Sequence, residues 1–567
     1  MRYRWQAIET DGDAADRLAR DMDIDRLLAR LLLQRGIADP DQARSFLNPR
    51  LEDLHDPFLM RDMQRVVERV ERALREKEKI LIYGDYDVDG ITSTVVLRRA
   101  LEMLGGKVDF HIPARLEDGY GLQPDVMREF ALKGFSLIIS VDSGVRAFES
   151  CRAAREAGAD LIVTDHHTPA ETLPEAYAIL NPKRFDCSYP CKDLAAVGVV
   201  FKLVQALFQR SGRETVLPHF LKLVAIGTVA DIVPVVGENR IIVKYGLQGL
   251  ERPNNLGLQE LLVGAGVEGP VGLSDVGFRI APRINAVTRM GGGREVVDLF
   301  ALSDRRQARR LVEEMNRKND ARRGEEERIL EEIEDRVAER PQDFSKRFLV
   351  VAGRDWHRGV IGIVASRLVD RFHRPVLVLS VGSENTQGSG RSITPFNLVE
   401  SLDRHASFFQ RHGGHPMAVG CTLQVSDLED PRLSELSAAL NDHADQHLDD
   451  EDLVPRLKIA CELPAEAVSL GLCRQVERLA PYGVGNPTPV FASRAMPVAA
   501  GPWLLKERHL KFQVQCNGSR VDAIWWKNAQ AAEGLSPGSP VDLAFTLGRQ
   551  FFQGEESLQL TIRDLHA

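Results

Sequence analysis

The chain has 567 residues, with 73 Lys and Arg against 82 Asp and Glu, a formal net charge of −9. That length calls for several domains with ample apolar material. No apolar run approaches the roughly 18 residues that a membrane span needs, and the start, Met1-Arg2-Tyr3-Arg4-Trp5-Gln6, has no secretory apolar core, so a cytoplasmic protein with no membrane partner is expected. The acidic balance alone favours a small-molecule partner over nucleic acid. Residues 451–567 nevertheless hold as many basic as acidic side chains, so the global sign does not veto a local basic channel. Among seven scattered cysteines, Cys187 and Cys191 are the one close pair and read as reduced thiols.

Residues 1–75 read as a helical N-terminal region, interrupted at Asp39-Pro40 and Pro49. Leu27, Leu28, Leu31, Leu32 and Leu33 form an apolar stripe, expected to pack against the lobe that follows. From 76 to 303, short apolar runs alternate with helically spaced segments such as Ser93 to Leu104 and Phe148 to Ala157, the pattern of a mostly parallel sheet. Ile80 to Tyr83 leads to Asp85, Asp87 and Asp89. Phe135 to Ser140 leads to Asp142, and Leu161 to Val163 leads through Thr164 to Asp165, His166 and His167. Leu223 to Val229, read as a further strand, leads to Asp231-Ile232-Val233-Pro234. Ligands bind outside the carboxyl ends of such strands, so all four polar segments are expected at one edge.

Residues 304–337 are rich in alternating charges, lack proline and carry a single Gly324, which predicts a long exposed helix joining two lobes. Arg305, Arg306, Arg309 and Arg310 are interleaved with acids there and read as a solvated face. Residues 338–450 open a second α/β unit with Phe348 to Val351 and Pro375 to Leu379. It contains two small-residue segments read as turns, Gly388-Ser389-Gly390-Arg391-Ser392 and Gly413-Gly414-His415. Residues 451–567 shift to short strand-like runs around Pro489, Leu510, Val521, Val541 and Ser557, compatible with an OB-like barrel. Trp503, Lys506, Arg508, His509, Lys511 and Phe512 mix aromatic and basic groups in one hairpin, and Trp525-Trp526 must turn at least one ring inward.

Acids crowded at the ends of buried strands repel one another and are costly to desolvate unless a cation joins them. Carboxylates dominate these motifs, imidazoles assist and cysteine is absent, which argues for Mn²⁺ or Mg²⁺ over a thiolate zinc site. With about five carboxylates and a histidine, two ions roughly 3.5–4 Å apart are expected, a pair suited to phosphoester hydrolysis.

Gly84-Asp85-Tyr86-Asp87-Val88-Asp89-Gly90, Val141-Asp142-Ser143-Gly144, Asp165-His166-His167 and Ala230-Asp231-Ile232-Val233-Pro234 resemble, in order, the four motifs of the DHH phosphoesterase family. Ile112 to Arg115, Asp118 to Gly121, Ala281 to Asn285, Gly359 to Arg367, Gly388 to Ser392 and Gly413 to His415 extend the likeness over nearly the whole chain, toward the family's bacterial exonucleases. The fold implied is α/β: a parallel-sheet DHH catalytic domain, a long helix, a second α/β DHH-associated domain and a C-terminal OB-like barrel.

The resemblance implies that Asp87, Asp89, Asp142, His166 and Asp231 bind the metals, with Asp142 bridging two ions. Asp85 would stand behind them, orienting a ligand or water. His167 would lie by the scissile phosphate, stabilising charge or transferring a proton. Arg115 and Tyr120 match positions that hold the 5′ end, Asn285 and Arg289 match phosphate contacts, and Ser389, Arg391 and His415 would face the ions across an interlobe cleft. Where that branch usually reads Asn-Ala-Ala-Gly-Arg, this chain has Asn285-Ala286-Val287-Thr288-Arg289. A β-branched Thr288 resists the positive φ that glycine permits, which sets the conformation there in question.

The expected activity is a metal-dependent 5′-to-3′ exonuclease specific for single-stranded DNA, releasing 5′-mononucleotides in repair and recombination. It would be a monomer, with a helicase and a single-strand-binding protein as partners. Two other readings remain open: a DHH phosphodiesterase for short oligonucleotides or cyclic dinucleotides, which leaves 451–567 without a role, and a non-catalytic strand-binding relative.

Overall fold

The computed structural model describes residues 3–114, 121–288, 292–552 and 554–566. Strand Lys79–Tyr83 lies inside a five-stranded parallel sheet, flanked by Lys107–His111 on one side and by Phe135–Val141, Asp160–Thr164 and Ala178–Leu180 in turn on the other. Its residues alternate between faces. Ile80 and Ile82 join one apolar core with Val96, Val200 and Ile226, whereas Leu81 and Tyr83 join another with Met127 and Cys151. A sheet buried on both faces needs apolar residues at every position, which is why these strands read as continuous runs.

The fourth apolar run departs from expectation. Leu221–Ala230 is an α-helix, not a strand, and Leu221 to Thr228 are buried all round. A helix buried on every side has no polar stripe, and its sequence carries no period that separates it from a core strand.

The N-terminal leucines also pack elsewhere than expected. Helices Gly12–Met22, Arg26–Leu33 and Pro40–Leu47 contribute Leu18, Leu28, Leu31, Leu32 and Leu47 to a core shared with Leu479, Phe491, Phe512 and Val541 of the C-terminal region. Leu27 and Leu33 pack at its margin. Strand Arg4–Ala7 pairs in parallel with Arg456–Ile459, reinforcing the junction. Of these N-terminal elements it is helix Met63–Glu76, through Val66, Val67 and Val70, that joins the first lobe.

Helix Arg305–Glu339 begins at Asp304, whose carboxylate accepts the N–H of Arg306. Its 35 residues span about 50 Å. Ala308, Val312 and Met315 belong to the core of the first lobe and Ile329 and Ile333 to that of the second, so one rigid element is fastened to both.

The second lobe carries a mixed sheet ordered Arg411–His415, Ala418–Leu423, Thr386–Arg391, Val376–Val381, Leu349–Arg354, with the last pair parallel. Both small-residue segments expected to be turns are strands. A Cβ at Gly388 would stand 2.4 Å from Cys421 Sγ, and one at Gly390 2.7 Å from Val419 Cγ2. The glycines answer tight sheet packing rather than a bend.

Past residue 490, strand Phe491–Leu505 pairs with both His509–Cys516 and Pro540–Phe552, and Ser519–Trp525 runs parallel to Glu555–His566. Those pairings close a five-stranded barrel. Phe512 fills its interior and Trp525 packs partly against that core, while Trp503 and Trp526 are about half exposed, at 45% and 50%. Among the described residues no helix is long and apolar enough to cross a membrane.

Candidate metal centre

The loop leaving Lys79–Tyr83 carries Asp85, whose Oδ1 accepts the N–H of Tyr86 at 2.7 Å. Asp87 then caps helix Val88–Met103, accepting the N–H of Gly90 at 3.0 Å. Asp89, in the first turn, is buried. Its two oxygens accept the N–H groups of Ala196 and Val197, at 2.7 and 2.8 Å, at the start of helix Ala196–Ser211. A helix N-terminus thus locks one carboxylate from the far side.

Asp142 follows Phe135–Val141 with a left-handed φ of 64°. A non-glycine residue pays about 1–2 kcal/mol for that conformation, and such strain persists where the surrounding fold overrides it. His166 follows Asp160–Thr164. Its Nε2 lies 3.4 Å from Asp142 Oδ1 and 3.6 Å from Oδ2 of Asp231, the residue that ends helix Leu221–Ala230. These atoms, Asp142 Oδ1, His166 Nε2 and Asp231 Oδ2, are buried and have no hydrogen-bond partner among the described residues. Ligand atoms converge within 4.8 Å in three overlapping groups: Asp85, Asp87 and Asp142; Asp89, His166 and Asp231; Asp142, His166 and His167.

The electrostatics fit a cation site. Burial, then the charges of Asp231 and Asp87, push the Asp89 carboxyl well above its ordinary range. Burial followed by Asp87, Asp89, Asp85 and Asp231 does the same to Asp142, and burial with Asp87 raises Asp231 to about 7. Burial and neighbouring His167 lower His166 to about 3, leaving a neutral imidazole able to ligate. The oxygen-rich donor set and orphaned buried atoms suit Mn²⁺ or Mg²⁺, whose charge would relieve the repulsion.

Asp165 is the residue whose importance the sequence reading missed. It accepts N–H groups from Val145, His166 and His167 and lies 2.8 Å from His167 Nδ1. Burial opposes its charge, yet His167 and the N–H groups of His167 and Val145 hold it at about 2. Burial likewise disfavours the His167 cation, but Asp165 raises that imidazole above its usual value. Asn181, just past strand Ala178–Leu180, donates to the His167 carbonyl at 2.9 Å. Its place at the end of a strand in the same sheet is the signal that could have found it.

Asn285 lies on helix Ala281–Thr288. Thr288 is helical and buried, with Oγ1 3.3 Å from the Asn285 carbonyl, so the substitution for glycine is accommodated without a positive φ. Arg115, Tyr120 and Arg289 lie outside the described residues. Ser389 and Arg391 share strand Thr386–Arg391, with Arg391 Nη1 3.3 Å from Ser389 Oγ, beside Gly362 near the start of helix Ile361–Phe372. His415 ends an exposed edge strand. At the seam between lobes a cavity of about 150 Å³ is lined by Ala286, Lys318, Arg322, Glu325, His357 and Val360.

Residues 79–228 match the DHH family, N-terminal domain, residues 345–443 the DHHA1 domain, and residues 459–564 the RecJ OB domain. The chain is 38% identical to the single-stranded-DNA-specific exonuclease RecJ of Bacillus subtilis (strain 168), across 99% of this chain and 71% of that one. It is 35% identical to RecJ of Dickeya dadantii (strain 3937), across 95% and 96% respectively. The chain belongs to the RecJ family. The RecJ likeness extends to three dimensions: the crystal structure of RecJ in complex with Mn²⁺ from Thermus thermophilus matches with a TM-score of 0.84 at 29% identity, covering 100% of this chain and 80% of that one.

Proposed function

We propose that this RecJ-family protein is a metal-dependent exonuclease specific for single-stranded DNA, degrading from the 5′ end and releasing 5′-mononucleotides. One observation carries the reading. A chain 35% identical along 96% of a RecJ exonuclease gathers five buried or half-buried aspartates and a neutral histidine around ligand atoms left unpaired among the described residues, at one sheet edge.

Asp87, Asp89, Asp142, His166 and Asp231 would hold two Mn²⁺ or Mg²⁺ ions. Asp142, which like His166 is common to two of the ligand groups, would be the ligand the ions share, and Asp85, grouped with Asp87 and Asp142, would support them. When bound, such ions supply a nucleophilic water at neutral pH and charge stabilisation at phosphorus. Asp89 is kept in place by the N–H groups of Ala196 and Val197. Because Asp165 is ionised and can only accept, His167 carries its proton on Nδ1 and offers Nε2 to the phosphate, stabilising charge or transferring a proton.

By the family resemblance Asn285 and Arg289 would contact phosphate from the first lobe, Ser389, Arg391 and His415 would do so from the second, and Arg115 with Tyr120 would receive the 5′ end. The half-exposed Trp503 and Trp526 favour a long strand over a cyclic dinucleotide, because successive bases stack on such rings. We further assign the protein a cytoplasmic role in DNA repair and recombination as a monomer, with a helicase supplying single strands and a single-strand-binding protein covering them.

The test is digestion of end-labelled single strands and duplexes with Mn²⁺ or Mg²⁺. A 5′ label should appear at once as mononucleotide. Long strands left intact while a cyclic dinucleotide is hydrolysed would replace this reading with the phosphodiesterase one.

A further inference from the structure

Asp231 is delivered to the metal centre by the C-terminal end of a helix, and the chain leaves it through a strained turn. Ile232 adopts a φ of 60° and is 70% exposed, a conformation that β-branched residues resist. Something must hold that turn. From inside the lobe, Asn239 Nδ2 donates to the Pro234 carbonyl at 3.0 Å. From outside, the N–H of Val235 donates to the carbonyl of Val484 at 2.7 Å.

Val484 belongs to a two-residue hairpin closed by Gly483 and Asn486, each donating its N–H to the other's carbonyl. Both hairpin glycines press on the turn. A Cβ at Gly483 would stand 2.5 Å from Val235 Cγ2, and one at Gly485, whose φ is 74°, would stand 3.1 Å from Pro234 Cβ. The hairpin is itself clamped. Buried Arg240 donates to the carbonyls of Ala480 and Pro481 at 2.8 and 3.2 Å, and Arg35, from the N-terminal helices, donates to Asn486 Oδ1 and the Pro487 carbonyl at 2.6 and 2.8 Å. Asn486 is fully buried and donates back to Leu479 and Pro481.

From this arrangement we infer that hairpin 483–486 is a positioning element of the metal centre, pressing the turn after Asp231 so that its carboxylate stays against His166. Through this hairpin, which supplies no ligand itself, the C-terminal region thereby sets metal affinity in the first lobe. The inference rests on the metal-centre reading given above.

The experiment uses the full chain and reads Mn²⁺ binding directly, by calorimetry or by the electron paramagnetic resonance signal of free Mn²⁺, alongside thermal melting. Gly485→Ala pushes a methyl group toward Pro234, and Arg35→Ala loosens the clamp from its far side. Gly538→Ala is the control, since it imposes the same backbone strain in open space elsewhere in the C-terminal region. Both hairpin variants should bind Mn²⁺ about tenfold more weakly, as losses of ligand-orienting contacts do. The half-activating Mn²⁺ concentration should rise in parallel, with KM for the strand unchanged, and Gly538→Ala should melt lower yet bind Mn²⁺ normally. Folded variants with wild-type Mn²⁺ affinity, or an equal loss in the control, would overturn the inference. If Gly485→Ala fails to fold, Arg35→Ala decides. Absence of Mn²⁺ binding by the wild-type protein would instead defeat the metal-centre reading itself.

Discussion

His167 Nδ1 lies 2.8 Å from Asp165 Oδ1, and the same carboxylate collects three backbone N–H groups. Asp165→Asn keeps the size of the side chain and removes the charge that fixes the imidazole tautomer. The kcat on a short oligonucleotide should fall about ten- to a hundredfold, as for other groups that orient active imidazoles, with strand affinity preserved. Unchanged kcat would mean that Asp165 serves only to shape the loop.

Asp89→Ala and Asp142→Ala should abolish hydrolysis while leaving strand binding largely intact. Each carboxylate belongs to a converging ligand group, and losing it removes transition-state stabilisation worth several kcal/mol. Strand binding draws on groups elsewhere. Turnover near normal at saturating Mn²⁺ would sink the assignment, and filter binding of labelled strands checks the second half.

Lys202 and Glu238, both fully buried, pair at 2.9 Å, and Glu238 also accepts the hydroxyl of Tyr189 and the N–H of His55. Lys202→Met would leave a buried carboxylate without a counter-charge, at a cost of about 3–5 kcal/mol. Lys202→Met with Glu238→Leu should recover much of that. Denaturant unfolding of the single and double variants measures both, and an equal loss in the two would show that packing, not charge, is at stake.

Trp503→Ala and Trp526→Ala should weaken binding to long single strands by roughly 1–3 kcal/mol for each base that loses its stacking partner. Cleavage of very short oligonucleotides should be untouched. Deleting 451–567 is a poorer test, because Leu28, Leu31 and Leu32 would lose the core they share with that region. Equal losses on short and long substrates in the tryptophan variants would remove the barrel from strand recognition.

Specificity for single strands should be steric. One helix is anchored in the cores of both lobes and limits how far they separate, whereas a duplex would have to open at about 1.4 kcal/mol per stacked step. Digestion should ignore sequence, require a single-stranded 5′ tail on a duplex and stall near the junction. Rapid digestion of a blunt duplex below its fraying temperature would overturn this.

Much of the site was legible because its polar residues stand directly after apolar runs, and strand ends in a parallel sheet share an edge. Asp85, Asp87, Asp89, Asp142 and His166 could be read that way. Asp231 arrived at the same place by a different route, since the run before it is a helix whose burial on all sides erased its period. The strand bearing Ser389 and Arg391 looked like a turn because glycine at 388 and 390 is demanded by neighbours such as Cys421 and Val419, which only the folded sheet supplies. The leucine stripe announced burial correctly. Its partner could not be named, because an amphipathic face records that it is covered and not by what.

That partner has a consequence for how the protein is made. Arg30, among those leucines, meets Cys461 across 431 residues of chain. On a ribosome adding about 5–20 residues per second, the leucine helices emerge roughly 20 to 90 s before the strands that cover them. For that interval Leu28, Leu31 and Leu32 lack the core they share in the folded protein, which makes this stretch a target for a chaperone during synthesis.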